Sequence, residues 1–172
     1  MGESGPQPQP QSAEGGITRD CRNLEGPYGS PRLQDNAGRM GPELIMAGSI
    51  LLDTDVLVDF FRGQSKAVAF VTAHSDQIIL SSIVVAELYA GVKGDTEEAV
   101  VENFVSLFRV VPVSGEIAKA AGLYKRDYGK SHGIGLAHAI LAAAAEAENA
   151  ELKTLNTRHY PMLKGLRPAY KK

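Results

Sequence analysis

The feature that most constrains this chain is a regular alternation of short apolar runs with helical patterns, which begins at residue 50. The run Ile50-Leu51-Leu52 has no polar alternation, as expected for a strand that is buried on both faces of a parallel sheet. The pattern predicts strands at 50–52, 77–80 and 110–113, weaker strands at 152–155 and 166–170, and helices at 56–61, 66–73, 82–92, 95–107, 116–128 and 136–148. Strands that alternate with helices in this way predict an α/β fold, a three-layer α/β/α sandwich around a short, mainly parallel sheet.

Residues 1–45 differ in composition from the rest of the chain. They contain 6 of the 9 prolines and 8 of the 18 glycines, and they show neither a period of 2 nor one of 3.6. Such a segment has too little apolar surface to offset the loss of chain entropy on folding. We therefore expect residues 1–45 to be a disordered or non-native N-terminal extension and residues 46–172 to form the folded domain, with Met46 as a candidate for the native first residue.

Charge and cysteine content exclude several classes of protein. A net charge of −2 argues against a protein that works as a basic block on nucleic acid. The single cysteine, Cys21, excludes a disulfide framework and a Cys-rich zinc module, and it fits a reducing compartment. No stretch approaches the roughly 18 uninterrupted apolar residues that a membrane helix needs. These features predict a cytoplasmic protein with no membrane segment.

Polar side chains follow three of the predicted strands. Asp53 comes directly after the first strand, Ser81 and Ser82 follow the second, and Asn156 follows the strand that ends near Leu155. In open parallel sheets, ligands bind outside the carboxyl ends of the strands, so these positions are candidates for a functional site. A charged Asp53 at the end of a buried strand needs a metal, a cation or helix-end donors. The residues alone are equally compatible with Asp53 as the N-cap of the next helix.

The other acidic residues of these segments have less specific patterns. We interpret Asp55 and Asp59 as partners of a helix dipole or as solvated side chains. Glu87 lies in the otherwise apolar run 83–88. A charged residue flanked in this way either lies at the polar edge of an amphipathic helix or is turned inward for a reason, and the residues alone leave both alternatives open.

Four segments form an ordered set: LLDTDVLVD at 51–59, SSIVVAELYAG at 81–91, GIGLAHAILAA at 133–143 and LNTRHY at 155–160. Together they resemble the sequence blocks of the PIN (PilT N-terminal) domain family, and especially of its VapC-type toxin ribonucleases. The second block has the hydroxyl-rich turn and the Glu-Leu-x-x-Gly of that family. The resemblance spans about residues 48–170 in family order and at family-like spacing, which is far more specific than any single block.

The resemblance implies a PIN-like fold and a metal-dependent ribonuclease that hydrolyses single-stranded or looped RNA. Hard Mg²⁺ or Mn²⁺ takes oxygen ligands, neutralises carboxylates that otherwise repel one another, and lowers the pKa of a bound water. The implied catalytic residues are Asp53, Glu87 and Asn156, the implied metal ligands are Asp53, Glu87 and His138, and the implied substrate contacts are Thr54, Ser82 and Arg158. Further candidates for contacts with RNA phosphates are Arg62, Lys125, Arg126 and Lys130. The implied partners are an RNA substrate, a cognate antitoxin and a second copy of the chain in a homodimer.

The chain departs from the family pattern at His138, where the family has Asp. The replacement removes one negative charge and one hard oxygen ligand, which lowers the expected affinity for Mg²⁺ by on the order of a hundredfold. An imidazole in this place can act as a ligand that suits Mn²⁺ or Zn²⁺ better than Mg²⁺. The other interpretations are an impaired site, a deliberate change that disarms the enzyme, and a packed core histidine.

Two other functions remain open at this point. A catalytically weak PIN fold would act as an RNA- or antitoxin-binding module. The segment Asp53-Thr54-Asp55-Val56 also fits the start of haloacid-dehalogenase-like phosphatases, in which the first Asp is a nucleophile and the second an acid or base. That second alternative requires a downstream Lys and an acidic pair, for which the sequence offers no clear match.

Overall fold

The computed structural model describes residues 48–171, so the predictions for residues 1–45, Met46 and Cys21 lie outside the described residues. Strands and helices alternate along this part of the chain, as the sequence predicts. In chain order the elements are β1 (Ile50–Leu52), α1 (Thr54–Phe61), α2 (Ser65–Ala73), β2 (Ile78–Ser81), α3 (Ser82–Gly91), α4 (Asp95–Val105), β3 (Arg109–Val111), α5 (Gly115–His132), α6 (Leu136–Ala147), β4 (Glu151–Lys153) and a short 3₁₀ turn (Thr157–His159).

The sheet has four strands in the order β3-β2-β1-β4, and all three pairings are parallel. Ile50 of β1 is opposite Ile78 of β2 on one side and Glu151 of β4 on the other. Every residue of the two central strands β1 and β2 is buried, which explains their apolar runs without alternation. The predicted α/β fold with a short parallel sheet is therefore confirmed.

The order of the strands determines where the helices lie and where a crevice opens. The chain moves from β1 to β2 to β3 in one direction and then returns past β1 to β4. Because such crossovers are right-handed, the first two connections and the last one cover opposite faces of the sheet. The strand order reverses between β1 and β4, so the crevice outside their carboxyl ends is the expected place for a ligand.

Helix α6 packs closely against the core through small side chains. The run Ala142–Ala145 is buried together with Leu141 and Ala139. Alanine side chains allow a helix backbone to approach its neighbours closely, and they carry the highest intrinsic helix propensity. This packing fixes the position of His138, which lies in the first turn of the same helix.

Two local predictions are wrong. No strand forms at 166–170: Pro168 has no N–H to donate, and the segment instead connects to the chain after β4 by the bond from Ala169 N to Thr154 O (2.9 Å). Residues 154 and 155 also leave the last strand, because they turn toward Asp55. The Asp95 and Glu98 spacing resembles a capping box, but α4 is capped by Gly94, which has a φ of 85° and offers no side chain.

The prediction that the chain has no membrane segment concerns its helices, of which the structure describes those in residues 48–171. Among residues 48–171, no helix combines the length and the apolar character needed to cross a bilayer. The longest helix, α5, has 18 residues and carries charged side chains along most of its length.

Candidate active site

The candidate site lies in the crevice at the carboxyl ends of β1 and β4. Asp53 follows β1 directly, and Asn156 follows β4 by three residues. Glu87 comes from α3, which begins directly after the neighbouring strand β2, and His138 comes from the first turn of α6. The fold thus brings elements that are distant in sequence to one end of the sheet.

Both carboxylate oxygens of Asp53 are held by hydrogen bonds. Oδ1 accepts a hydrogen bond from Thr54 N at 2.7 Å, which makes Asp53 the N-cap of α1. Oδ2 accepts a hydrogen bond from the Tyr160 hydroxyl, also at 2.7 Å. The side chain is buried, with 6% of its surface exposed. Asp53 therefore caps α1 and also lies at the crevice, so the two alternatives left open by the sequence do not exclude each other.

Asp55 lies in the first turn of α1, as its interpretation as a helix-dipole partner predicts, but its carboxylate bonds to the chain after β4 and is not simply solvated. Its Oδ2 accepts hydrogen bonds from Thr154 Oγ1 (3.1 Å) and from Leu155 N (2.9 Å), while Oδ1 is buried without a partner. Burial raises the pKa of Asp55 to about 6, and the nearby charge of Asp53 adds to that effect. The crevice therefore carries more negative charge than the surrounding protein groups neutralise.

Asp59, in the last part of α1, is not in the first turn and is not solvated, so its interpretation as a dipole partner or a solvated side chain is wrong. Its side chain is buried, and Oδ2 accepts a hydrogen bond from the Tyr170 hydroxyl at 2.9 Å. This contact attaches the C-terminal segment to α1. The hydrogen bond between Tyr170 and Asp59 joins the same two residue types as the bond between Tyr160 and Asp53.

Glu87 is exposed on α3 and is linked to the rest of the site by Thr54. The Thr54 hydroxyl donates a hydrogen bond to Glu87 Oε2, while the Thr54 backbone N–H donates to Asp53. One residue therefore connects both predicted acidic residues. Ser82, a predicted substrate contact, is the first residue of α3, and the cap of that helix is the neighbouring Ser81, whose hydroxyl accepts from Ile83 N at 3.4 Å.

The other half of the crevice is a chain of neutral groups. Asn156 Nδ2 lies 3.2 Å from His159 Nε2, and His159 Nδ1 lies 3.2 Å from His138 Nε2. These two contacts join Asn156, His159 and His138 in one row, in which Nδ1 is the remaining ring nitrogen of His138. That Nδ1 is buried without a partner.

Tyr160 lies between these two halves. Its side chain is 1% exposed, and its ring meets the His138 ring edge-on, with centroids 5.5 Å apart and planes at 90°. Burial raises the pKa of the Tyr160 hydroxyl far above its ordinary value, and the charges of Asp53, Asp55 and Glu87 raise it further. The hydroxyl therefore stays protonated at neutral pH and acts as a hydrogen-bond donor to Asp53.

The predicted metal ligands do not form a closed set of three. Within residues 48–171, no three His, Cys, Asp or Glu side chains are grouped so that they could hold a metal ion. His138 Nε2 lies 3.2 Å from His159 Nδ1, and the other ring nitrogen, Nδ1, is buried without a hydrogen-bond partner.

The remaining oxygen donors still fit a hydrated hard cation. Mg²⁺ keeps several of its waters and needs only one or two carboxylates from the protein. Asp53 and Glu87 supply these carboxylates, and the unpartnered Oδ1 of Asp55 together with its raised pKa reports a charge that lacks a counterion. The donor set therefore suits an ion held on one side by protein and on the other by water.

The basic candidates differ in their surroundings. Lys125 Nζ donates to the carbonyl of Ile134 at 2.5 Å, and Arg126 pairs with Asp127 at 2.7 Å, so both have structural partners. Arg158 is exposed in the 3₁₀ turn between Asn156 and Tyr160, and it borders the crevice. Arg158 is therefore a basic side chain whose neighbours along the chain, Asn156 and Tyr160, belong to the site.

Sequence reasoning missed Asp55, Tyr160 and His159 as members of this cluster. Tyr160 and His159 were part of the fourth block, yet no pattern in that block distinguishes a buried hydroxyl donor from a packed ring. A usable signal was the spacing of Asp53 and Asp55, since a capping residue and the second residue of the helix that it caps can both face the same crevice. That signal carries weight only once the strand order is known.

A parallel α/β sheet with a carboxylate-lined crevice at its switch point defines the class of this protein. The PIN domain family model matches residues 50–162, and the chain belongs to that family. It is 38% identical over 124 residues to ribonuclease VapC10 of Mycobacterium tuberculosis, a match that covers 70% of this chain and 92% of the relative. Ribonuclease VapC19 of the same organism is 36% identical over 124 residues, with 70% and 98% covered.

A solved structure gives the same result at the level of the fold. The chain superposes on a toxin–antitoxin complex from Klebsiella pneumoniae with a TM-score of 0.63 and 27% identity, covering 72% of this chain and 100% of that one. The resemblance to PIN domains and VapC-type ribonucleases is therefore confirmed. Membership of this family leaves no basis for the phosphatase alternative.

Proposed function

We propose that this protein is a metal-dependent endoribonuclease of the VapC type, the toxin component of a type II toxin–antitoxin system. The observation that carries the proposal is the row of hydrogen bonds that joins Glu87 through Thr54 to Asp53, and Asp53 to Tyr160, in a chain of the PIN family. The identity of 38% and 36% to two ribonucleases supports the same reaction. The proposed reaction is the hydrolysis of an RNA phosphodiester bond.

Asp53 and Glu87 are the residues that would hold Mg²⁺ or Mn²⁺. When bound, the ion supplies an activated water and neutralises charge that develops on the phosphate. Each oxygen of Asp53 already accepts one hydrogen bond, so each keeps a lone-pair direction for a cation. Asp55 is near enough to Asp53 for the two charges to interact, and it would deepen the negative potential that attracts the ion.

The other site residues would orient the reacting groups. Thr54 fixes Glu87 through its hydroxyl, and the Asn156 side-chain oxygen remains able to accept a hydrogen bond from a water, because the amide nitrogen is the atom that faces His159. The exposed guanidinium of Arg158 and the hydroxyl of Ser82 would contact RNA phosphates, which positions the substrate without reading its sequence.

The proposed partners follow from the same comparisons. The Klebsiella pneumoniae structure is described as a toxin–antitoxin complex, which supports a cognate antitoxin for this chain. A homodimer and a cytoplasmic location complete the proposal. A toxin that cleaves RNA in the cytoplasm needs such an inhibitor, and the antitoxin would have to cover the crevice that contains Asp53.

The test is cleavage of single-stranded RNA in Mg²⁺ and in Mn²⁺. We expect Asp53→Asn and Glu87→Gln each to lower the cleavage rate about 100-fold, because each removes a charged ligand of the ion. Glu116→Gln, which changes an exposed carboxylate in the first turn of α5, is the matched control and should keep the rate of the unchanged chain. Undiminished cleavage by Glu87→Gln would rule out this site.

His138→Asp separates the enzyme from the binding module. A carboxylate at this position restores a hard oxygen ligand, and we expect the affinity for Mg²⁺ to rise about tenfold or more. If both the affinity for Mg²⁺ and the rate of RNA cleavage increase, the absence of a carboxylate at position 138 is what weakens the site. If the unchanged chain binds RNA without cleaving it in either ion and His138→Asp cleaves, the native protein is a binding module. A variant that gains neither property contradicts this account of His138.

A further inference from the structure

One buried hydroxyl occupies the centre of the crevice, and the function proposed above gives it no role. Tyr160 donates to Asp53 Oδ2, and its environment is set by the charges of Asp53, Asp55 and Glu87. We propose that Tyr160 is a positioning residue, whose hydroxyl fixes the Asp53 carboxylate in the orientation that binds the divalent ion. This inference rests on the proposed function, because it assigns a role within the same site.

The first argument is that Asp53 is held at two points. A carboxylate on a single flexible bond rotates, and one fixed oxygen still leaves a range of orientations. Thr54 N fixes Oδ1 from the start of α1, and Tyr160 fixes Oδ2 from the opposite end of the described chain, 107 residues later. Partners of metal-binding carboxylates orient the ligand in this way. Without the hydroxyl, only the helix cap remains.

The second argument is that the hydroxyl itself has no structural requirement. A phenylalanine fills the same buried space, and its ring keeps the edge-on contact with His138. Burying a hydroxyl costs free energy unless it is hydrogen-bonded, and at this position its bond goes to the carboxylate that the fold places after β1. Packing therefore explains the ring of Tyr160, and the contact with Asp53 explains its oxygen.

The third argument is that the ring is held in place by the neutral half of the crevice. His138 meets the ring at 90°, and His138 is fixed by His159, which is fixed by Asn156. The 3₁₀ turn that contains His159 ends next to Tyr160. His138 stands where the family pattern has Asp, and in this chain it supports the Tyr160 ring, whose hydroxyl in turn positions Asp53. The histidine contributes to the site through Tyr160.

The chain contains a matched control for this interaction. Tyr170 donates to Asp59 Oδ2 at 2.9 Å, which is the same bond between the same two residue types. Asp59 lies at the far end of α1 from Asp53, and its partner belongs to the C-terminal segment. Tyr170→Phe therefore removes an equivalent hydroxyl without changing the orientation of Asp53.

The experiment compares Tyr160→Phe, Tyr170→Phe, Asp53→Asn and the unchanged full chain. Mn²⁺ affinity is measured directly by calorimetry or by electron paramagnetic resonance, and RNA cleavage gives kcat and KM. We expect Tyr160→Phe to bind Mn²⁺ about 10-fold more weakly and to lose kcat with an unchanged KM for RNA. Tyr170→Phe should match the unchanged chain in all three quantities. A general loss of packing would change stability without this selective change in ion affinity.

Each outcome decides between the two proposals. If Asp53→Asn abolishes Mn²⁺ binding while Tyr160→Phe and Tyr170→Phe bind alike, the role of Tyr160 is refuted and the nuclease site stands. If Asp53→Asn keeps both Mn²⁺ binding and cleavage, the proposed function itself fails. Should Tyr160→Phe not fold, His138→Ala, which removes the supporting ring, must weaken Mn²⁺ binding in the same direction, and an unchanged affinity in that variant overturns the proposal.

Discussion

At the scale of single residues, the crevice is divided into a charged half and a neutral half. Asp53, Asp55 and Glu87 supply three carboxylates, while the other half contains the amide of Asn156 and two imidazole rings that are joined by contacts of 3.2 Å. The salt bridges of residues 48–171 join Arg109 to Glu148, Arg126 to Asp127 and Lys153 to Glu151, so none of them neutralises Asp53, Asp55 or Glu87. Like charges repel one another, and we therefore expect these three carboxylates to cause a local destabilisation of the metal-free fold.

Asp55 reports this destabilisation through its pKa, which is raised from 3.8 to about 6. Between these values the folded chain binds more protons than the unfolded chain. The free energy of unfolding must therefore fall as the pH rises through this window. For the metal-free protein we expect Asp55 to contribute a loss of about 1 kcal/mol, after discounting for the solvent that reaches this partly exposed group.

Asp55→Asn removes that dependence. Because an amide does not titrate, the variant should be about 1 kcal/mol more stable than the unchanged chain at pH 7.5 in EDTA, and the two should converge below pH 4. Denaturant unfolding at a series of pH values measures the difference. Asp76→Asn, which changes an exposed carboxylate, is the control and should follow the unchanged chain. Equal stability of Asp55→Asn and the unchanged chain at all pH values contradicts the prediction.

The residues that sequence reasoning identified and missed differ in a physical way. Asp53 and Glu87 could be predicted because each stands in a local pattern, after a buried strand or within an apolar run. The roles of Tyr160 and Asp55 could not, because their hydrogen bonds join positions 107 and 99 residues apart. A long-range contact of this kind leaves no periodic signal in the chain. The same limit applies to His138, whose partner His159 comes from a different element.

At the scale of elements, α6 shows why most of the fold was predictable. Its apolar run gives both its length and its buried face, so the prediction for 136–148 agrees with Leu136–Ala147 to within one residue. The segment 166–170 shows the opposite case. It is apolar enough for a strand, but Pro168 has no N–H to donate, and the backbone bond from Ala169 to Thr154 does not extend into a strand pairing. A pattern of apolar residues therefore predicts an element well when every backbone N–H and C=O of the segment can also find a hydrogen-bond partner.

The close packing of α6 leads to a prediction for this element. Ala142 is completely buried, whereas Ala147 is exposed at the end of the same helix. We expect Ala142→Leu to lower the free energy of unfolding by about 1–3 kcal/mol, because the added methyl groups have no free volume. Ala147→Leu, which introduces the same side chain, should change it by less than about 0.5 kcal/mol. Thermal or denaturant unfolding of both variants measures the effect, and equal stabilities would show that α6 is not packed closely.

At the scale of the whole molecule, the balance of charge sets a condition for binding RNA. The chain has a net charge of −2, and its crevice adds three carboxylates at the place where a polyanion must approach. Exposed Arg158 is one positive charge against this cluster. A divalent ion at the proposed site would therefore act on stability and on substrate approach at the same time, since it would reduce the repulsion between the carboxylates and the repulsion between the protein and RNA.

This linkage makes the folding equilibrium a direct measure of the site. An ion that binds the folded chain alone raises the free energy of unfolding by RT ln(1 + [ion]/Kd), which is about 2.7 kcal/mol at an ion concentration 100 times the Kd. For a domain of this size we expect Mn²⁺ to raise the melting temperature by about 10 °C at that concentration. Asp53→Asn should lose this increase, and Glu116→Gln should keep it, because only the former removes a proposed ligand. If Mn²⁺ raises the melting temperature of Asp53→Asn by the same amount, the ion binds elsewhere, whatever the rate of RNA cleavage. Measurements of stability and of cleavage therefore test the role of Asp53 independently.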